Sequence, residues 1–468
     1  MIVFGMSPVW ANVQPALVAG SFYASDPIQL RQMVQSYLDA VPTPTVSKQK
    51  ILGGIVPHAG HVFSGPVAAH VFKTIQALKP KTILILGLSH YQMIDAACVL
   101  TADAYATPLG EVPIDTVLAK RIYDSSPLYQ KTLPVTPAEH SIEVQLPFLQ
   151  VALQGHPFKI VPVYIAASQI QQQEDLVATL LPLVRSENVF VLASSDWSHY
   201  HSDAEAKQLD TAGIYDVRSM LIGNFAAAYA SHKTELCGFG PVYVMMKLAE
   251  QLGYSDVQLL DQRNSYDTTG RAPERVVGYA ALLFKQARPL DKNQQTHLLE
   301  LARDTIVNKI RYGSYTLKTQ PSDPVLMRPQ GVFVTITVDG KLHGCIGYIE
   351  SRNPLYQNIQ ECALKAALSD PRFEPLTEAD LDRMHLEVSV LSPVQPLTSV
   401  KDIVIGKTGL ILDRGPRRGL LLPQVAVEQK WNVNQLLEGL CHKSELPPGA
   451  WKDPGTKLSY FTAEVFGE

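Results

Sequence analysis

Histidines follow directly on apolar runs in this chain. His58 ends "GGIVPH", His90 ends "LILGLSH", and "VFVLA" leads into "SSDWSHYH", which supplies Asp196, His199 and His201. The stretch "TELCGFGP" (234–241) sets Cys237 among glycines, where a backbone can come close to an ion or a substrate. Neutral imidazole and thiolate are strong ligands for divalent transition metals. Two of these histidines and a cysteine from separate loops would make a three-ligand site with open positions, as a catalytic metal requires. Asp196 and His199 then suit supporting or proton-transfer roles. The bland alternative is that each histidine simply hydrogen-bonds within its own loop; convergence after similar strands is what brings a metal into contention.

The segment "TPAEHSIEVQLPFLQ" (136–150) has two readings. Thr136, Pro137 and Glu139 match a helix start with reciprocal capping bonds and a proline at the first helical position, which would make Glu139 structural. His140 and Glu143, three apart, would share a helix face and either point at the site or pair on the surface. His140 is retained as a candidate catalytic group.

Strands must carry these loops. "KILGGIVPH" (50–58), "KTILILGLSH" (81–90), "FKIVPVYIA" (158–166) and "NVFVLASSDWSHY" (188–200) read as strands, with helices over 65–78 and 172–184. Continuous apolar strands alternating with helices indicate an α/β sheet buried on both faces, and ligands bind such sheets at the carboxyl ends of the strands. "RVVGYAALLF" (275–284) reads as the strand that closes the domain.

At 468 residues the chain exceeds one ordinary core, so two domains are expected. Apolar residues at 46% and charged ones at 18% describe a globular protein rather than a disordered one. A net charge of −4 argues against a broad nucleic-acid surface, and no apolar run approaches the roughly 20 residues of a membrane helix. The start, "MIVFGMSPVWANVQPALVAG", lacks a basic n-region and reads as an extension rather than a signal peptide. Five widely spaced cysteines without a C-x-x-C pair fit a reducing compartment, hence the cytoplasm.

Composition changes at "KQARPLDKNQQ", and residues 286–295 are taken as a linker between domains at 14–285 and 296–468. Beyond it come a helix (296–310) and two strands within 331–350 joined at Asp339-Gly340, a strong hairpin signal. A strand (385–393) and a helix (425–444) follow, so the second domain is a smaller α+β unit. Cys345 reads as a small residue packed in a tight strand. His343, Glu387 and Arg372 are the polar groups expected to face a shared groove, "RGPRR" (414–418) is a solvated turn, and Trp451 docks onto the domain.

Taken together, "VPHAGHVFSG", "LILGLSHY", "EHSIEVQLPFL", "SSDWSHY" and "LCGFGP" resemble the Memo family. That resemblance implies a fold related to LigB-type extradiol dioxygenases, with His58, His90 and Cys237 as metal ligands and Asp196 and His199 lining the cleft. Extradiol dioxygenases use two histidines and a carboxylate for iron. A thiolate in third place is softer and oxidisable, so iron or copper redox chemistry is implied but catechol ring cleavage is not. "GVFVTITVDGKLHGCIGYIE" and the segments after it resemble the AMMECR family, with His343 where that family's motif has an arginine. The pairing resembles the fused form of the AmmeMemoRadiSam system, which implies a radical SAM enzyme as partner. The expected protein takes part in a redox or radical-linked modification of a small molecule or peptide, without nucleic-acid or membrane partners. The alternatives are a non-catalytic peptide-binding cleft, or zinc-dependent hydrolysis with His199 as general base.

Overall fold

The structure, a computed structural model, describes residues 12–44, 50–131, 139–166, 170–314, 321–349, 351, 353–397 and 399–468. Residues 1–11 of the N-terminal extension and the Thr136–Pro137 helix start therefore lie outside the described residues, while the rest of the expected extension is part of the fold, with Val13–Gln14 paired to Ala104–Tyr105. The chain divides into two compact units between Ala287 and Arg288.

In the first unit the described residues form a nine-stranded sheet. Its spatial order is His199–His201, Val276–Lys285, Ile51–Val56, Phe190–Ser194, Thr82–Leu88, Lys159–Ile165, Ala97–Val99 and Tyr129–Lys131, with Asp256–Asn264 also on Val276–Lys285. The four strands from Ile51–Val56 to Lys159–Ile165 run parallel. Apart from their ends they are apolar and buried, as an inner parallel layer between helices must be. Gly53 lets two of them meet: a Cβ there would lie 1.7 Å from the Val191 carbonyl oxygen. Helices such as His61–Leu78, Ile170–Glu187 and Phe239–Leu252 supply the remaining core.

As expected, Val276–Lys285 is the last strand of the first unit, but it runs antiparallel beside Ile51–Val56 inside the sheet, with Asp256–Asn264 and His199–His201 along it. The sheet is thus mixed. A small sheet of Val13–Gln14, Ala104–Thr107 and Gly110–Pro113 is also present, formed of strands too short for an apolar period to reveal.

The second unit holds an antiparallel seven-stranded sheet in the order Lys341–Tyr348, Val332–Val338, Met384–Leu391, Lys457–Gly467, Thr408–Arg414 and Arg417–Leu421, with Gln395–Pro396 on Lys457–Gly467. Two hairpins pair locally, as the expected α+β arrangement requires, while Lys457–Gly467 returns from the end of the chain to join them in the middle of the sheet. Asp339 and Gly340 both have positive φ (51° and 74°), as the two-residue hairpin requires. The expected helix over 425–444 is two helices, Pro423–Glu428 and Val433–Lys443. Lys430 enters the left-handed region (φ 54°), and Asn432 starts the second helix with a reciprocal cap to Gln435. Trp451 docks as expected, its indole N–H donating to Glu438 at 3.0 Å. "RGPRR" is the turn of the Thr408–Arg414/Arg417–Leu421 hairpin. Among the described residues, no helix is long and apolar enough to cross a membrane.

Candidate metal centre

The loops leaving Val56, Leu88 and Ser194 enter one cleft of about 590 Å³, together with the loop bearing Cys237. His58, His90, His140, Asp196, His199 and Cys237, all marked from sequence, line it. One ring nitrogen from each of His58, His90 and His140 lies within 4.8 Å of the others, a spacing that fits a single metal ion. The rings pack as a set: His90 stacks on His140 at 4.5 Å, and His58 stands edge-on to both at 5.2 and 5.3 Å. Cys237 Sγ approaches His58 Nε2 to 3.1 Å.

Burial, followed by the neighbouring imidazoles, holds His58 well below its ordinary pKa, so the ring is neutral. Neutral imidazole is the form that ligates. Burial pushes the Cys237 thiol up, which keeps it protonated while no cation is nearby. The donor set thus fits a divalent transition ion: a buried His58 already neutral, two further imidazoles beside it, and a thiol that would lose its proton on binding.

Asp196 is fully inside. Its Oδ1 accepts the backbone N–H groups of His58 at 2.7 Å and Ala59 at 3.3 Å, and burial raises its carboxyl to about 7. It holds the His58 loop in place. His199 lines the cleft, and burial holds its ring below the ordinary value. His201 is turned to Glu235 and Glu205, at 2.8 and 3.3 Å.

Glu139 itself lies in no helix. The described backbone around it is irregular up to a short 3-10 turn at Glu143–Gln145. Its carboxylate instead accepts His90 Nδ1 at 3.2 Å and the His90 backbone N–H at 2.6 Å. Burial alone would raise this carboxyl, but the His90 bonds outweigh it and hold it below the usual range. His140 and Glu143 do not share a helix face. Glu143 turns to the N-terminal segment, accepting the Leu17 and Val18 N–H groups at 2.8 and 2.9 Å and the Tyr23 hydroxyl at 2.5 Å.

Sequence reasoning missed several contributors. Ser194 Oγ lies 2.9 Å from His58 Nδ1, and Gln145 and Ser141 support it. The doubled serine before Asp196 was visible, but no spacing rule gives a serine this task. Phe22 stacks on His140 at 4.1 Å. Tyr200 reaches the cleft from a β-bulge with φ 65°, its ring under Arg275 at 4.4 Å. Gly238 serves the protein rather than a ligand: a Cβ there would lie 2.5 Å from the Ser194 carbonyl and the Ser195 Cβ.

In the second unit Cys345 is half-buried and receives the Thr335 hydroxyl at 3.3 Å. Asp370 accepts the Cys345 N–H at 2.9 Å, while Arg372 donates to its carbonyl at 3.0 Å and to Asp370 at 2.7 Å. These bonds close the outer edge of the Lys341–Tyr348 strand. Glu387 pairs across from Thr335, and His343 packs on Phe373.

A mixed sheet delivering imidazoles from its loops into one cleft, with a thiol from the loop before helix Phe239–Leu252, defines an α/β protein with a candidate transition-metal centre. The chain belongs to the Memo-like protein family, matched over residues 14–283, and carries an AMMECR1 domain matched over residues 299–466. A MEMO1 family protein of Methanopyrus kandleri (MK0963) is 32% identical over 278 residues, covering 58% of this chain and 98% of that protein. A protein of Methanothermobacter thermautotrophicus is 42% identical over 187 residues, 38% of this chain and 97% of its own length. Among solved structures, protein PH0010 of Pyrococcus horikoshii is 35% identical with a TM-score of 0.36, covering 38% of this chain and 93% of that one.

Proposed function

We propose that the cleft of the Memo-like domain is a redox-active metal centre, with His58, His90 and Cys237 as ligands and His140 beside them. The observation that carries this reading is the convergence of three imidazoles within 4.8 Å from separate loops. Iron or copper, when bound, would supply one-electron chemistry and activate a small substrate or O₂. The chain's own residues do the rest. Asp196 fixes the His58 loop, His199 is a neutral base able to take a proton from a bound substrate, and Phe22 stacks on His140 and holds that ring in place. The substrate is a small molecule or peptide, and a radical SAM enzyme is the proposed partner. The five cysteines are free, which suits a reducing cytoplasm.

Zinc-dependent hydrolysis is the second reading, favoured by neutral His199 in the same cleft as the ligands. Metal analysis after anaerobic purification separates the two. About one iron or copper per chain, lost in His58→Ala, His90→Ala and Cys237→Ala, supports the redox centre. Stoichiometric zinc favours hydrolysis. A wild type that takes up no metal on reconstitution sinks both and leaves a binding cleft.

A further inference from the structure

Behind His58, donors and acceptors leave only one assignment. The Pro57 carbonyl can only accept, so the nitrogen of the Gln145 amide faces it at 3.0 Å, and the same nitrogen donates to Ser194 Oγ at 3.1 Å. Ser194 gives its hydroxyl proton to the Ser141 carbonyl at 2.5 Å. A hydroxyl has one proton to give. His58 Nδ1, 2.9 Å from Ser194 Oγ, must therefore be the donor of that bond. His58, Ser141, Gln145 and Ser194 are each no more than 1% exposed, so bulk water does not compete.

His90 is held by different chemistry to the same end. Glu139 Oε1 already accepts the backbone N–H groups of His140 at 2.9 Å and Ser141 at 2.8 Å, so it is an acceptor towards the ring as well and His90 Nδ1 carries the proton. Both rings are left with Nε2 as the atom able to ligate. Glu139, Ser141 and Gln145 all lie in one stretch, "EHSIEVQ", which thereby orients two histidines that arrive on different strands.

We infer that Ser194 and Glu139 are positioning residues, set by the 139–145 segment, that fix the Nδ1–H tautomers of His58 and His90 before any cation arrives. The inference rests on the metal reading of the cleft, yet the tautomers belong to the protein alone. A ligand held in the wrong tautomer must exchange its proton before binding, and removing such a partner typically weakens metal affinity about 10–100-fold.

The test uses the full chain with histidine-selective ¹⁵N labelling, ring NMR spectra of the metal-free protein, and competitive Co(II) titration. In the wild type, His58 and His90 should each appear as a single Nδ1–H tautomer. Ser194→Ala should mix the His58 tautomers and lower Co(II) affinity about 10–100-fold. Ser194→Thr, which keeps the hydroxyl, should restore both. Glu139→Gln keeps an acceptor but loses the charge, so it should retain the His90 tautomer and weaken Co(II) binding. An Nε2–H tautomer in the wild type, or unchanged tautomer and affinity in Ser194→Ala, overturns the inference. The wild-type spectrum decides even if the alanine variant does not fold. A wild type with both Nδ1–H tautomers that takes up no Co(II) overturns the metal reading and leaves the orientation standing.

Discussion

Cys237 Sγ lies 3.1 Å from Nε2 of His58, a residue 179 positions earlier in the chain. With His58 Nδ1 donating to Ser194, its Nε2 is an acceptor, and the Cys237 thiol is the donor that meets it. These two groups, which would both help hold a metal, are thus already joined by a hydrogen bond. Cys237 falls outside the 4.8 Å imidazole group, so its part in ligation separates from that of His140 by experiment.

The Co(II)-loaded wild type should show a thiolate-to-cobalt charge-transfer band in the near ultraviolet. Cys237→Ala should lose the band, and His140→Ala should keep it. A band absent from the wild type, with binding intact in Cys237→Ala, would make the site a three-histidine centre.

Gly238→Ala should loosen the Cys237 loop. The added methyl would lie 2.5 Å from the Ser194 carbonyl, and backbone there cannot yield cheaply. A loss of about 2 kcal/mol in stability is expected, with weaker Co(II) binding. Urea denaturation and the cobalt titration check the two parts separately.

Glu143→Ala should cost about 3 kcal/mol, because it strands the Leu17 and Val18 N–H groups and the Tyr23 hydroxyl in a buried setting. Since Glu143 does not line the cleft, the folded fraction should retain its metal affinity. Thermal unfolding with the cobalt titration measures this; a large loss of affinity in a fully folded variant would contradict it.

Asp370 makes the second unit acid-sensitive. The Arg372 guanidinium, aided by the N–H groups of Cys345 and Arg372, holds its carboxyl well below the usual range. A depressed folded pKa contributes stability above the ordinary carboxylate range, and that contribution is lost as pH falls through the folded value. Arg372 is half-exposed, so solvent screens the pair and the effect is modest. Asp370→Asn should lower the calorimetric transition of this unit at pH 7 and bring it closer to the wild type below pH 3.

Much of the cleft was legible in advance. His58, His90 and Cys237 were marked because each follows an apolar run or sits among glycines, and strand ends of an α/β sheet share an edge. The Asp339-Gly340 hairpin was equally plain, since few dipeptides accept two positive φ angles in succession. The readings of Glu139 as a helix-start residue and of His140 and Glu143 on one helix face share one physical weakness: helical spacing looks the same whether or not the segment is helical, and a buried carboxylate bonds whichever segment the fold brings to it.

Sequence by itself determined which residue types stand at the strand ends, because apolar continuity and the punctuation after it are local properties. Only the tertiary structure decided the rest. It set the antiparallel Val276–Lys285 strand inside the sheet, turned Glu143 away from the cleft, and gave Ser194 to His58. Each of these is a partnership between segments far apart in the chain, and a buried donor or acceptor takes whichever partner the fold brings to it.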